Sequence, residues 1–132
     1  MKKVPFLIQF RTIGSLAEGF ISTTQQASVL PFSVKRVFWT YHTPTEASRG
    51  NHANKETEEV LVAVKGSITV KAEMAHQKYE FLLDAPNIGL YIPAMCWTNL
   101  KFSDDAIAVC VASTDFAEDD YVRDYQVFKS LS

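Results

Sequence analysis

Short apolar runs recur along this chain at close spacing: Val4–Phe10, Val34–Tyr41, Val60–Val64, Ser67–Ala72, Glu80–Leu83, Ile88–Ile92, Thr98–Phe102 and Ile107–Ala112. Gly, Pro, Asp, Asn and Ser separate them, as in Val64-Lys65-Gly66-Ser67 and Leu83-Asp84-Ala85-Pro86-Asn87. Such runs read as strands, because β-branched and aromatic side chains suit a half-buried pleated surface and the residues between supply turn geometry. Many short strands predict an all-β sandwich or barrel. A helical period shows only near the end, where Tyr121, Tyr125 and Phe128 recur and predict a short helix within Glu118–Leu131 that covers one face of the barrel. No repeat, linker or biased segment interrupts the pattern, so residues 1–132 read as a single domain.

Composition narrows the class. With 132 residues, 47% apolar and 21% charged, the chain can bury one core without metal or disulfide staples. A net charge of −2 leaves no basic footprint, so nucleic acid is not an expected partner. The acidic run Glu118-Asp119-Asp120 reads as a solvated turn. In MKKVPFLIQF two lysines precede apolar residues as in a signal peptide, but Gln9 breaks the run, Arg11 ends it, and no small-residue cleavage site follows. Nothing approaches the roughly 20 apolar residues of a membrane span. A cytoplasmic protein with no membrane contact is the expectation. Cys96 and Cys110 each lie in an apolar run and read as buried free thiols.

Candidate chemistry gathers in one stretch. Thr43–Asn54 is polar and turn-rich and would lie at the mouth of a small barrel, where ligands are usually met. It ends in Arg49-Gly50-Asn51-His52-Ala53-Asn54, with Glu59 on the next strand and Gly66 at the following turn. The arrangement resembles the first signature of the cupin fold, a jelly-roll-like antiparallel β-barrel, with Asn54 where that signature carries a second His. Strand alternation points His52 and Asn54 to one side and Ala53 to the other. Arg36, Phe38 and Thr40 likewise share a face, opposite Lys35, Val37, Trp39 and Tyr41. If Arg36 faces inward it needs an anionic partner, Glu59 or a ligand phosphate; a register slipped by one would put it on the surface.

Metal-binding cupins commonly use three His and a Glu. Here Asn54 and Trp97 replace two of these, and His42 and His76 lack the spacing, so no metal is expected. Neither cysteine has a His nearby in sequence, and no phosphate loop or dinucleotide fingerprint is present, so neither a nucleophile nor a cofactor is expected. Acid–base work by one imidazole remains. His titrates near pH ~6.5 and suits removal of a carbon-bound proton beside a ketone.

Longer matches extend this. Pro31-Phe32-Ser33-Val34-Lys35-Arg36-Val37, the His52 and Glu59 stretches, Asp84–Pro93, Trp97, Val111-Ala112-Ser113 and Asp119-Asp120-Tyr121-Val122-Arg123-Asp124-Tyr125 together resemble the metal-independent cupin 3,4-ketoisomerases of deoxysugar nucleotides, the FdtA/QdtA and WxcM-like group. The resemblance implies a proton-transfer isomerase of a nucleotide-linked, dTDP-type 4-keto-6-deoxyhexose in bacterial deoxysugar and O-antigen synthesis. It also implies a homodimer with exchanged N-terminal strands and identifies His52 as the base that takes the C3 proton. Arg36, Arg49, Asn54, Glu59, Tyr91, Trp97 and Arg123 are the expected substrate contacts, with Tyr91 and Trp97 either stacking on the ligand or completing the core. The family's second His stands at Asn54, its proton-assisting Tyr at Phe38, and a basic or polar residue at Thr98. Those departures leave three readings open: the ketoisomerase, a C3 epimerase of the same substrate class, and a non-catalytic sugar-nucleotide-binding cupin.

Overall fold

The computed structural model describes residues 3–25 and 30–132, and the single-domain reading at residues 1–2 and 26–29 lies outside those described. Strands run in chain order as β1 Phe6–Gln9, β2 Arg11–Ser15, β3 Gly19–Thr23, β4 Arg36–Thr40, β5 Ser48–Asn54, β6 Glu59–Lys65, β7 Ile68–Glu73, β8 Lys78–Leu83, β9 Ile88–Ile92, β10 Trp97–Phe102, β11 Ile107–Ala112 and β12 Tyr121–Val122, followed by helix α1, Tyr125–Leu131. Two five-stranded antiparallel sheets, β1-β9-β6-β11-β4 and β12-β5-β10-β7-β8, form the body, and β2 and β3 make a separate hairpin. The fold is the expected all-β cupin type with a short C-terminal helix. The sheets do not close into the predicted barrel.

Alternation builds the core. On β7, Ile68, Val70 and Ala72 turn inward while Thr69, Lys71 and Glu73 turn out, and the inward set joins Leu83, Leu90 and Phe102. These side chains lose almost all contact with water, and a Leu- or Val-sized group buried so fully contributes about 1.5–3 kcal/mol. On β9, Leu90 and Ile92 belong to this core, whereas Tyr91 belongs to a second cluster with Ile8, Phe10 and Val60 on the other side of the sheet.

Two parts of the chain depart from the strand pattern. The β2–β3 hairpin was invisible because RTIGS and GFIST carry no apolar run, and every residue of it except Thr23 is exposed. The predicted helix over Glu118–Leu131 is shorter. Glu118–Asp120 form a 3-10 turn, Tyr121 and Val122 pair with Asn54 and Ala53 as β12, and the helix starts only after Asp124, whose carboxylate accepts from the Gln126 and Val127 amides. An unpaired edge on β5 thus takes a strand from residues that local periodicity assigns to a helix. The helix still covers the sheet as expected: fully buried Phe128 packs on Ala53 and Val122.

Candidate active site

A bulge aims the central residue. Gly50 at φ +80° and Asn51 at φ +57° occupy the left-handed region, and the β5–β10 register slips there, from Thr98↔His52 to Asn99↔Gly50. Gly50 is required at its place, because a Cβ would sit 2.9 Å from the Thr98 carbonyl oxygen. Asn51 is held by bonds to the Ser48 carbonyl and from the Asn99 amide. Bulges re-aim a side chain, and here the following residue, His52, enters a cavity of about 240 Å³ between the two sheets.

The cavity has an apolar floor of Phe38, Leu61, Ile92, Leu100 and Phe102, with Thr40 and Thr98 among them. Glu59 stands in its wall, and Arg49, Tyr121 and Arg123 border it. His52 Nδ1 lies 3.0 Å from the Gly50 carbonyl. A carbonyl only accepts, so Nδ1 carries the proton and Nε2 is left as the basic nitrogen. Burial holds the imidazole below its ordinary range; the Gly50 bond works against this and Arg123 adds to it. The ring of Tyr121 packs on His52 at 4.8 Å between centroids, with the Arg123 guanidinium 4.4 Å above the Tyr121 ring.

Glu59 is pushed up to about 7 by burial, against the pull of Arg36. Of the two orientations left open for Arg36 the inward one holds, its guanidinium near the Phe38 and Phe116 rings and its Nε buried without a hydrogen-bond partner among the described residues. Burial pushes the Cys110 thiol well above its usual range and that of Cys96 up to about 12, so neither is a nucleophile; both are buried and free, as expected. Among the described residues no group of three or more His, Cys, Asp or Glu is placed to hold a metal.

Of the eight predicted site residues, His52, Glu59, Arg49 and Arg123 meet at this cavity, with Arg36 behind Glu59. Three do not line it. Tyr91 is buried on the other side of its sheet, packs on Phe6 and Phe32, and gives its hydroxyl proton to Glu58. Trp97, one residue before inward Thr98, faces outward and packs on Tyr125 and Phe128 at 5.3 and 5.6 Å. Strand parity decides both cases. Asn54 is buried and gives its amide proton to Asp120 at 2.9 Å, so it anchors the C-terminal segment beside His52. A larger groove of about 460 Å³ lies outside, between α1 and β7–β8, but it is an open surface furrow without the imidazole.

Asp120 and Tyr121 were missed as site residues. Asp120 accepts from Asn54, from Thr57 and, at 2.7 Å, from the Glu56 amide. Partial burial opposes its ionisation, but these bonds outweigh it and hold the carboxyl below its ordinary range. The acidic run is therefore a solvated turn only at Glu118 and Asp119. One signal was present: Asp124 is a natural helix cap, which leaves the preceding residues free to be something else.

Known proteins of similar sequence and fold are sugar-nucleotide isomerases. The sequence pattern of the FdtA family, "WxcM-like, C-terminal", matches residues 3–132. TDP-4-oxo-6-deoxy-alpha-D-glucose-3,4-oxoisomerase of Aneurinibacillus thermoaerophilus is 36% identical over 114 residues, 86% of this chain and 82% of that protein. A 3,4-ketoisomerase from Helicobacter canadensis superposes with a TM-score of 0.90 at 30% identity, covering 96% of both chains. The sugar 3,4-ketoisomerase QdtA from Thermoanaerobacterium thermosaccharolyticum, in complex with TDP, superposes with a TM-score of 0.90 at 26% identity, covering 96% of this chain and 93% of that one. Sugar-nucleotide epimerases share the fold alone, at 16% identity.

Proposed function

The chain belongs to the FdtA family (WxcM-like, C-terminal), and on that premise we propose that His52 is the base of its proton-transfer reaction. The protein is a sugar-nucleotide isomerase, a 3,4-ketoisomerase of a TDP-linked 4-keto-6-deoxyhexose. The observation that carries the assignment of the base is the His52 tautomer: Nδ1–H is committed to the Gly50 carbonyl and burial favours the neutral ring, so a basic Nε2 is available in a cavity with an apolar floor. The hydrogen on C3 is acidified by the neighbouring C4 ketone. Its removal leaves an enediolate whose charge needs nearby donors, and such donors are worth more in an apolar cavity than in water. Arg49 and Arg123 at the mouth suit the diphosphate, Arg123 by exchanging part of its pairing with Glu118.

A homodimer with exchanged N-terminal strands belongs to the same reading; β1 pairs with β9 of its own chain, so the strands left to exchange are β2 and β3. Support comes from exposed Phe6, Leu7, Phe20 and Ile21 in the N-terminal strands and from exposed Val37 and Trp39 on the outer side of β4. A cytoplasmic location is also part of it; among the described residues no helix is long and apolar enough to cross a membrane.

The test is incubation with TDP-4-keto-6-deoxyglucose in heavy water, followed by NMR. Loss of the C3 proton signal with formation of the 3-keto isomer is expected. In His52→Asn both should fall by roughly 10²–10⁴ while affinity stays within a few fold. Exchange with C3 inversion and no 3-keto product would make the protein an epimerase, and binding without exchange would make it a non-catalytic cupin. An unchanged rate in His52→Asn would place the base elsewhere.

A further inference from the structure

Ketoisomerisation moves two protons. The carbon-bound hydrogen leaves C3 and one arrives at C4, while the hydroxyl hydrogen leaves O3 and one arrives at O4. One imidazole can carry the first; a second group must serve the oxygens. Phe38 in the cavity floor has no proton to give, and the Asn54 amide, which donates to Asp120, is not ionisable.

Glu59 is placed for the task. It projects from β6 into the wall of the cavity that His52 enters from β5, so the two groups reach one substrate from opposite sheets. The groups acting on it are Arg36 from β4, the Cys110 thiol from β11 and Asp120 from the 3-10 turn, while His52, Tyr121, Arg49 and Arg123 share the cavity. The Arg36 cation also faces the Phe38 and Phe116 rings, and its attraction does not offset the burial of Glu59. The carboxyl therefore exists in both protonation states near neutral pH, as a group that both gives and takes a proton must.

We propose that Glu59 is a second catalytic residue, shuttling the hydroxyl proton from O3 to O4 of the hexose while His52 carries the carbon-bound proton from C3 to C4. This rests on the ketoisomerase reading above. His52 takes the C3 hydrogen as a proton, the C3–H pair becomes the C3=C4 bond, and the C4=O π pair moves to O4, which takes the proton of the Glu59 carboxylic acid. In the second half Glu59 carboxylate takes the O3 proton, the O3–H pair becomes C3=O, and the C3=C4 pair takes the proton from imidazolium at C4. Both residues return to their starting forms, and no oxidant or reductant is needed.

The experiment compares wild type, Glu59→Gln and Glu59→Ala with TDP-4-keto-6-deoxyglucose in heavy water. Gln can still hydrogen-bond O4 but cannot pass a proton. In Glu59→Gln, isomerisation should fall by roughly 10²-fold or more while C3 exchange falls less than about tenfold, and the alkaline limb of the wild-type pH profile should disappear. Added formate should restore part of the isomerisation in Glu59→Ala, a rescue that a merely structural role does not give. Wild-type isomerisation in Glu59→Gln would overturn the proposal and leave the ketoisomerase reading standing, as would equal loss of exchange, isomerisation and TDP binding without formate rescue. A wild type that neither exchanges nor isomerises would overturn both.

Discussion

The segment around β12 and the β2–β3 hairpin treat their apolar side chains differently. At the C-terminal end, Val122 and Phe128 are buried, Asp120 ties three neighbours together, and Tyr121 is laid across His52. In the N-terminal hairpin, Ile13, Leu16, Phe20 and Ile21 all remain exposed. The C-terminal segment thus borders the cavity from within one chain, whereas the hairpin holds apolar surface that the described residues do not cover. Burial reports where each segment finds its partner, and among the described residues only the C-terminal segment finds one.

The largest effect on stability is expected at the buried end. Phe128→Ala should cost about 3–5 kcal/mol in denaturant titrations, because a filled site beneath α1 becomes a cavity. An equivalent loss at Phe20 in dilute, monomeric protein would erase the contrast. Asp120→Ala comes next: it leaves the Asn54 side chain and the Glu56 amide without acceptors, and about 2–3 kcal/mol should be lost. Isomerase activity should drop with it, since Tyr121 is no longer held on His52.

Phe20→Ser combined with Ile21→Ser should change the stability of the isolated chain by under about 0.5 kcal/mol, as surface changes do. Sedimentation should nevertheless shift from dimer toward monomer. A dimer of undiminished affinity would remove the hairpin from the interface. Arg123→Gln should leave the fold nearly untouched, because the exposed pair with Glu118 is worth little, yet raise KM by roughly tenfold if the guanidinium meets the diphosphate.

The remaining effect concerns pH. The fold raises Glu59 from the ordinary 4.5 to about 7, so it favours the neutral acid; that contribution is whole below about pH 4.5 and is lost as pH rises through about 7. His52 acts in the other direction: its pKa is lowered, so its contribution is present above the ordinary imidazole value and is lost as pH falls. Between about pH 5 and pH 8, melting temperatures of wild type should fall relative to Glu59→Gln. Parallel curves would mean that the carboxyl is ionised throughout.

Strand existence was legible because each run carries its own alternation and its own closing turn, and Ile88–Ile92 and Ile107–Ala112 appear with the predicted bounds. His52 and Glu59 were legible for a related reason, and Arg36 only as one of two faces: period two along a strand decides which neighbours share a face. The sequence by itself therefore determined the fold class, the family and the imidazole at the centre. Only the tertiary structure decided which face of each strand meets the cavity and which meets something else. Tyr91 lies in a correctly predicted strand and Trp97 one residue before the predicted Thr98–Phe102, and both point away from the cavity, because parity relative to the core depends on the sheet packed opposite. Asn54, Asp120 and Tyr121 were likewise settled by an edge of β5 that lacked a partner until β12 supplied one. The need to pair that edge arises between segments some 66 residues apart, as in the Asn54–Asp120 bond, and no local pattern records it.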